Sequence, residues 1–336
     1  MLFRSRCEIM EETKKAEKTT NAGKKFVDLF CTYGLYFIFV VMIIFFTIQK
    51  PNFFSLQNLF LILKSSSVLG LAVVGMFFVL IVAGIDISVS MNMYFSAVVG
   101  ATVLNQMHAP LIVCFLVSLA CGALIGCING AFVSKVKVAP FIVTLATYSV
   151  AKGLGLFFTN QQMVFLDSSV MNFANIKIGG ISIFVFIFLA VVLIAHYVLT
   201  STQFGRQLFA CGCNLAGANK MGINGPKVIF FAYMICGALS GLAGMLSACN
   251  LSVINPNFAQ GDEFVVISSS VIGGASLFGG KGKVLPGAIV GIVMIQAIIN
   301  GLTMMGASAY SYTIFRGIII FIAVMVDSIK FSGEIR

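Results

Sequence analysis

The chain has 336 residues, 59% of them apolar and only 10% charged, with a formal net charge of +10 and a mean hydropathy of +1.04. A soluble domain is about half apolar and roughly a quarter charged, so this composition excludes a soluble globular fold. Several apolar stretches exceed the roughly 18 residues that cross a bilayer, where only helices or a closed barrel satisfy the backbone. Strict apolar/polar alternation does not occur. The class is therefore all-α and polytopic.

In chain order, residues 1–30 carry Lys14, Lys15, Lys18, Lys24 and Lys25 among acids, and no small-residue cleavage site follows the first greasy run. They read as a cytoplasmic tail, not a cleaved signal. Residues 31–330 read as one transmembrane domain with about ten spans: 31–49, 66–83, 87–104, 110–134, 138–159, 180–199, 228–249, 264–280, 284–304 and 310–328. With the tail inside, Lys135, Lys137, Arg206, Lys220, Lys227, Lys281, Lys283, Lys330 and Arg336 fall on the cytoplasmic side, and only Lys50, Lys64 and Lys177 outside. This bias places both termini in the cytoplasm and makes the positive charge an orientation signal. The basic residues form no face and have no aromatic platform beside them, so nucleic acid is not an expected partner.

Nine cysteines at irregular spacings give no zinc or disulfide pattern, and Cys211 and Cys213 are too close for a redox pair. His108 and His196 stand apart from each other and from any acid cluster. Neither a metal site nor nucleophilic catalysis has a constellation, so an enzyme is the poorest reading.

Two segments, "MFFVLIVAGIDISVSMNMYFSAVVGA" and "VVISSSVIGGASLFGGKGKVLPGAIVGI", run apolar, break at a small or polar centre and resume. They are either discontinuous helices of an internal repeat or two tight inter-helix turns. Glycines four apart, as at Gly237 and Gly241 or Gly287 and Gly291, let helices approach closely in lipid.

Asp86 is the only carboxylate between Asp28 and Asp167. At membrane depth it is either functional or a cap for the helix that follows it, beside Ser88. Lys152 and Arg316 lie within spans, where they either snorkel to the interface or line a polar path. Asn129, Thr144, Thr147 and Ser149 offer hydrogen bonds to a neutral solute, against the commoner fate of bonding a carbonyl one turn back. Pro140 suits a first helical turn. "GGASLFGGKG", with Gly273 and Gly274, fails as a phosphate-binding loop, because Ala275 stands where the first Gly is required and Gly282 follows Lys281.

Between two apolar runs lies a polar island, "GRQLFACGCNLAGANKMGIN", within a loop at 200–227. This motif, "AGIDISVS" at 83–90, Asn129-Gly130 with "PFIVTLAT" at 140–147 and "AKG" at 151–153, and "VIGGASLFGGKG" at 271–282 together resemble a known pattern. It is that of the permease subunits of bacterial ATP-binding-cassette importers for monosaccharides, and the likeness runs from about residue 50 to residue 330.

The resemblance implies the permease fold and a short coupling helix in the island, with Gly205, Arg206, Gly212, Asn214, Ala218 and Gly222 matching the family motif. It implies four kinds of neighbour: a cytoplasmic ATPase that binds the ATP and Mg, an extracytoplasmic sugar-binding protein, a second permease subunit and membrane lipid. No cofactor belongs to this chain. Asp86, Ser88, Asn129, Thr144, Thr147, Lys152, Gly273 and Gly274 are then translocation-path or turn residues. The chain departs from the family at Leu215 and Ala216, where acids are common, which alters the expected charge pairing with the ATPase, and also at Ser90, Cys213 and Val265. Competing readings are a secondary transporter or facilitator working without an ATPase, and a receptor or scaffold.

Overall fold

A computed structural model describes residues 39–308 and, discontinuously, residues up to 328. The helices in chain order are α1 (Phe39–Gln49), α2 (Leu56–Ile81), α3 (Val89–Met107), α4 (Leu111–Ala131), α5 (Pro140–Thr159), α6 (Ser168–Ala174), α7 (Ile183–Ser201), α8 (Gln203–Cys213), α9 (Leu215–Lys220), α10 (Gly225–Leu251), α11 (Asp262–Ile272) and α12 (Val284–Met304). Every described residue between 311 and 328 is helical. Arg316 lies outside the described residues, as do the tail and the start of the first expected span.

Among the described residues, six helices are long and apolar enough to cross a membrane: Leu56–Ile81, Leu111–Val136, Pro140–Thr159, Ile183–Ser201, Gly225–Leu251 and Val284–Met304. α3 has a comparable 19 residues but is more polar. The span expected at 264–280 is replaced by α11, which has only 11 residues. At 1.5 Å per residue it is roughly 16 Å long, about half the hydrocarbon core. It stops because Gly273 and the positive-φ Gly274 begin a glycine-rich loop that continues to Lys283.

The second expected span starts ten residues late, at 66 instead of Leu56. Polar residues misled the hydropathy reading, and the helix absorbs them. Ser55 caps α2 by accepting from the Asn58 N–H at 3.3 Å, and Ser66 and Ser67 donate to carbonyls one turn back, each at 2.7 Å. Asn58 Nδ2 donates to Phe53 O at 2.8 Å and to Asn300 Oδ1 at 2.9 Å, tying α2 to α12.

Two ends of the bundle are defined by contacts. At one, β1 (Val164–Phe165) pairs antiparallel with β4 (Val253–Ile254), and Asn105 Nδ2 donates to Phe165 O at 2.8 Å. A hairpin of β2 (Lys177–Ile178) and β3 (Ile181–Ser182) precedes α7. At the other end, the turn after α2, the end of α8 and the glycine loop after α11 meet, with Gly280 N donating to Ile81 O at 2.8 Å.

The centre is α10, which packs along α4, α2 and α3. Glycine makes the α4–α10 crossing possible. A Cβ on Gly122 would meet the Gly237 carbonyl, one on Gly126 the Tyr233 carbonyl, and one on Gly241 the Ser118 carbonyl. The same device joins α11 to α12 through Gly273, Gly287 and Gly291, so the expected close approach at both glycine pairs is realised. Asn92 seals the crossing: its Nδ2 reaches Gly122 O at 3.3 Å and Gly237 O at 3.2 Å.

Gly122→Ala should destabilise the protein by about 1–3 kcal/mol, the usual cost of forcing a methyl into a filled contact. A thermal melt of the detergent-solubilised protein measures it, and an unchanged midpoint would contradict the crossing described above.

Candidate functional site

The turn between α2 and α3, residues 82–88, carries Asp86 and Ser88, both with 0% of their surface exposed. Asp86 Oδ1 accepts from the Ser88 N–H at 2.9 Å and the Ser88 Oγ–H at 2.6 Å. Asn129 Nδ2, from α4, donates to Ser88 Oγ at 2.8 Å and lies 3.5 Å from both Asp86 carboxylate oxygens. Thr147 Oγ1, from α5, donates to Asn129 Oδ1 at 2.7 Å. The Tyr233 hydroxyl of α10 donates to Ile85 O at 3.4 Å. Two residues, Ser88 and Asn129, thus reach the buried carboxylate, while Thr147 braces Asn129 and Tyr233 braces the turn backbone; the donors that reach the carboxylate offset the cost of taking it out of water.

The hydrogen bonds of Asp86 match the capping alternative most nearly. The carboxylate serves the start of α3, but through Ser88, the residue preceding the helix, as an Asx turn. It also approaches Asn129 of α4, which in turn accepts from Thr147 of α5, contacts a simple cap would not make. Asp167, by contrast, is an ordinary cap: it accepts from Ser169 N at 2.8 Å ahead of α6, and that bond holds its carboxyl below the usual range.

Of the expected path residues, Asp86, Ser88, Asn129 and Thr147 come together, the Thr147 hydroxyl lying nearest Asn129 Oδ1 at 2.7 Å and also 3.2 and 3.1 Å from Val143 O and Thr144 O of its own helix. Thr144 does not join them, for its hydroxyl returns to Pro140 O at 2.9 Å, the back-bonding alternative. Ser149 does the same toward Leu145 O at 3.1 Å but on an exposed face. Lys152 stands half-buried on α5. Gly273 and Gly274 belong to the glycine loop: a Cβ on Gly273 would strike the Gly287 carbonyl, and Gly274 has φ +94°.

The island folds as two short helices. Thr202 caps α8 by accepting from Gly205 N at 3.2 Å, and Asn214 caps α9 by accepting from Gly217 N at 2.9 Å. Gly222, at φ +84°, ends α9, and Ile223 N reaches back to Ala218 O at 3.1 Å. Asn219 and Asn224 take up the N–H groups of Gly225 and Lys227 at 3.0 and 3.1 Å, fixing the entry into α10.

The six island residues singled out by the family motif divide by position. Arg206, Asn214 and Gly222 are exposed. Gly205 and Ala218 are buried, and a Cβ on Gly212 would meet Ile81 O and Gly280 N. The inward three hold the element onto the bundle. The outward face of α9 instead presents Leu215, Ala216, Asn219 and Lys220, with Met221 just beyond it 73% exposed. Sequence reasoning missed Asn92 and Tyr233, whose types in apolar helices were the available signal, and missed that Leu215 and Met221 face out.

A family model described as the permease component of branched-chain amino acid transport systems matches residues 58–324. The ribose import permease protein RbsC of Escherichia coli is 35% identical over 87% of this chain and 92% of its own length. The D-allose transport system permease protein AlsC of E. coli is 31% identical over 93% and 96% of the two chains. The galactose/methyl galactoside import permease protein MglC, also of E. coli, is 30% identical over 93% and 98%. No solved structure matches the chain.

Asp86→Ala leaves the Ser88 N–H and Oγ–H without their acceptor, and should cost about 1–3 kcal/mol. Thr144→Val, which removes only a local back-bond, should cost well under half as much. Comparing the two melting midpoints in detergent checks the network, and equal midpoints would contradict it.

Proposed function

Because the chain belongs to the permease components described for branched-chain amino acid transport systems, and its relatives include ribose, allose and galactose permeases, we propose that it is the membrane-spanning subunit of an ATP-driven, binding-protein-dependent importer of a simple sugar. The observation that carries this reading is the 35% identity to a ribose permease over 87% of the chain. It is a multi-pass protein of the inner membrane and a transport subunit, not an enzyme.

In this reading both termini are cytoplasmic, and the end holding α8, α9 and the glycine loop faces the cytoplasm, where it gathers Lys135, Lys137, Arg206, Lys220, Lys227, Lys281 and Lys283. The exposed α9 face docks on the partner ATPase, which binds ATP and Mg. Its apolar Leu215 and Met221 fill a groove, and Arg206 and Lys220 meet acidic or carbonyl groups at the rim. Gly212 and Gly280, packed on the end of α2, pass the motion into the bundle. A second permease subunit completes the path, and an external binding protein delivers the sugar. ATP binding then rocks the pair between outward and inward states.

Asp86, Ser88, Asn129 and Thr144 lie inside the subunit and so support the path from behind. The surface of α5 offered to a solute is its exposed side with Ser149 and Gly153, beside half-buried Lys152.

The test is reconstitution in liposomes with the co-encoded ATPase and binding protein, measuring uptake of labelled ribose, allose, galactose and leucine. ATP-dependent uptake of a sugar is expected. Uptake by this chain alone would establish a facilitator, and uptake of leucine without any sugar would move the substrate class to amino acids. Met221→Asp should lower sugar uptake at least about tenfold, the equivalent of about 1.4 kcal/mol in docking, with membrane insertion unchanged. Normal uptake in that variant would remove α9 from the ATPase interface.

A further inference from the structure

α5 is the most loosely held of the long helices around the polar network. Its inward residues recur every four positions, as Val143, Thr147, Ala151, Gly155 and Thr159, while Phe141, Ile142, Leu145, Val150, Leu154, Phe157 and Phe158 are exposed. At its far end Gly155 sits against the Tyr94 ring, and the Tyr94 hydroxyl lies 3.5 Å from Thr159 Oγ1. Near its other end the side-chain hydrogen bond tying it to α4 is Thr147 Oγ1 to Asn129 Oδ1, at 2.7 Å.

From Asn129 the contacts continue without a gap. Asn129 bonds Ser88 and approaches Asp86, in the turn that also holds Ala83. A Cβ on Gly279 would touch Ala83 at 2.8 Å, and Gly280 N is bonded to Ile81 O. Gly212 of α8 presses on that same Ile81 carbonyl. The turn at 82–88 is therefore clamped on one side by the end of the island helix and on the other by a side chain that holds α5.

We propose that Thr147 is a positioning residue for transport: through Asn129 it makes α5 follow the turn at 82–88, which α8 moves. This rests on the reading that the island docks on an ATPase. Displacing α8 shifts the Ile81–Gly280 contact, the shift rotates the Asp86–Ser88 turn, and Asn129 hands the rotation to α5, whose outer face carries Ser149 and Gly153. The hydroxyl is the working group, because a valine of the same shape fills the space but cannot donate.

The experiment uses the full complex with its ATPase in lipid nanodiscs, with native cysteines replaced and single reporters at Gln203→Cys on α8 or Ser149→Cys on α5. Maleimide labelling rates are compared with and without ATP and vanadate. The expected result is an ATP-dependent rate change at both reporters in the parent. Thr147→Val should lose the change at Ser149→Cys and keep it at Gln203→Cys, and Thr147→Ser should restore it. Persistence of the Ser149→Cys response in Thr147→Val overturns the proposal and leaves the docking reading intact. Loss at both reporters in that variant also overturns it, since Thr147 would then matter only for assembly. A parent silent at both reporters defeats the docking reading and the proposal together.

Discussion

Backbone meeting backbone across the α4–α10 crossing is the contact on which the rest of the subunit hangs. In lipid, helices gain little by hiding apolar side chains from one another, so association depends on how closely they pack. Gly122, Gly126, Gly237 and Gly241 let the two helices touch through carbonyls and Cα atoms, and Asn92 bonds to two of those carbonyls from α3. Asn129 follows on α4, next to Gly130, where a Cβ would come within 2.8 Å of Phe230 O. The polar network inherits its geometry from this crossing, because Asn129 and Tyr233 project from opposite partners of the same helix pair.

A carboxylate inside such a bundle is costly to keep, and it persists here because its neighbours are arranged around it. Side-chain hydrogen bonds between membrane helices average only about 0.6 kcal/mol, because alternative partners are available when helices separate. Removing one partner costs more than forming the bond gains, since an orphaned polar group stays in a poor solvent. The network is thus individually weak and collectively hard to rewire. That combination suits an assembly that holds a register while helices shift about it.

How much of this was legible varies with the physical signal. Composition and run length disclosed a mostly helical membrane chain, though not its two short strand pairs, and the glycine spacing disclosed where helices touch. The start of α2 was hidden because Asn58, Ser66 and Ser67 look like loop residues until their carbonyl partners are known. The shortness of α11 was hidden because "SSSVIGGASLF" is apolar enough to pass for helix, although Gly274 has left the helical region. Residue types identified Asp86, Ser88, Asn129 and Thr147 one at a time. Their convergence was illegible, since Asp86 and Asn129 are 43 positions apart. Ala218 matched a family motif without disclosing that it faces the bundle, because a six-residue helix lacks a long enough hydrophobic period to orient it.

The brevity of α11 also says something about wetting. From β4, at one end of the bundle, the chain must reach the start of α11, which stands roughly half a hydrocarbon core from the other end. Residues 255–261 make that descent as a string of turns, with Phe258 N bonded to Asn255 O and Gln260 N to Asn257 O. Phe258 is buried, whereas Asn257 and Gln260 are exposed. Non-helical backbone with exposed amide side chains is not stable against acyl chains, so this stretch is one that water or further protein has to cover. Among the described residues, this stretch of the perimeter is one that a bilayer does not seal by itself.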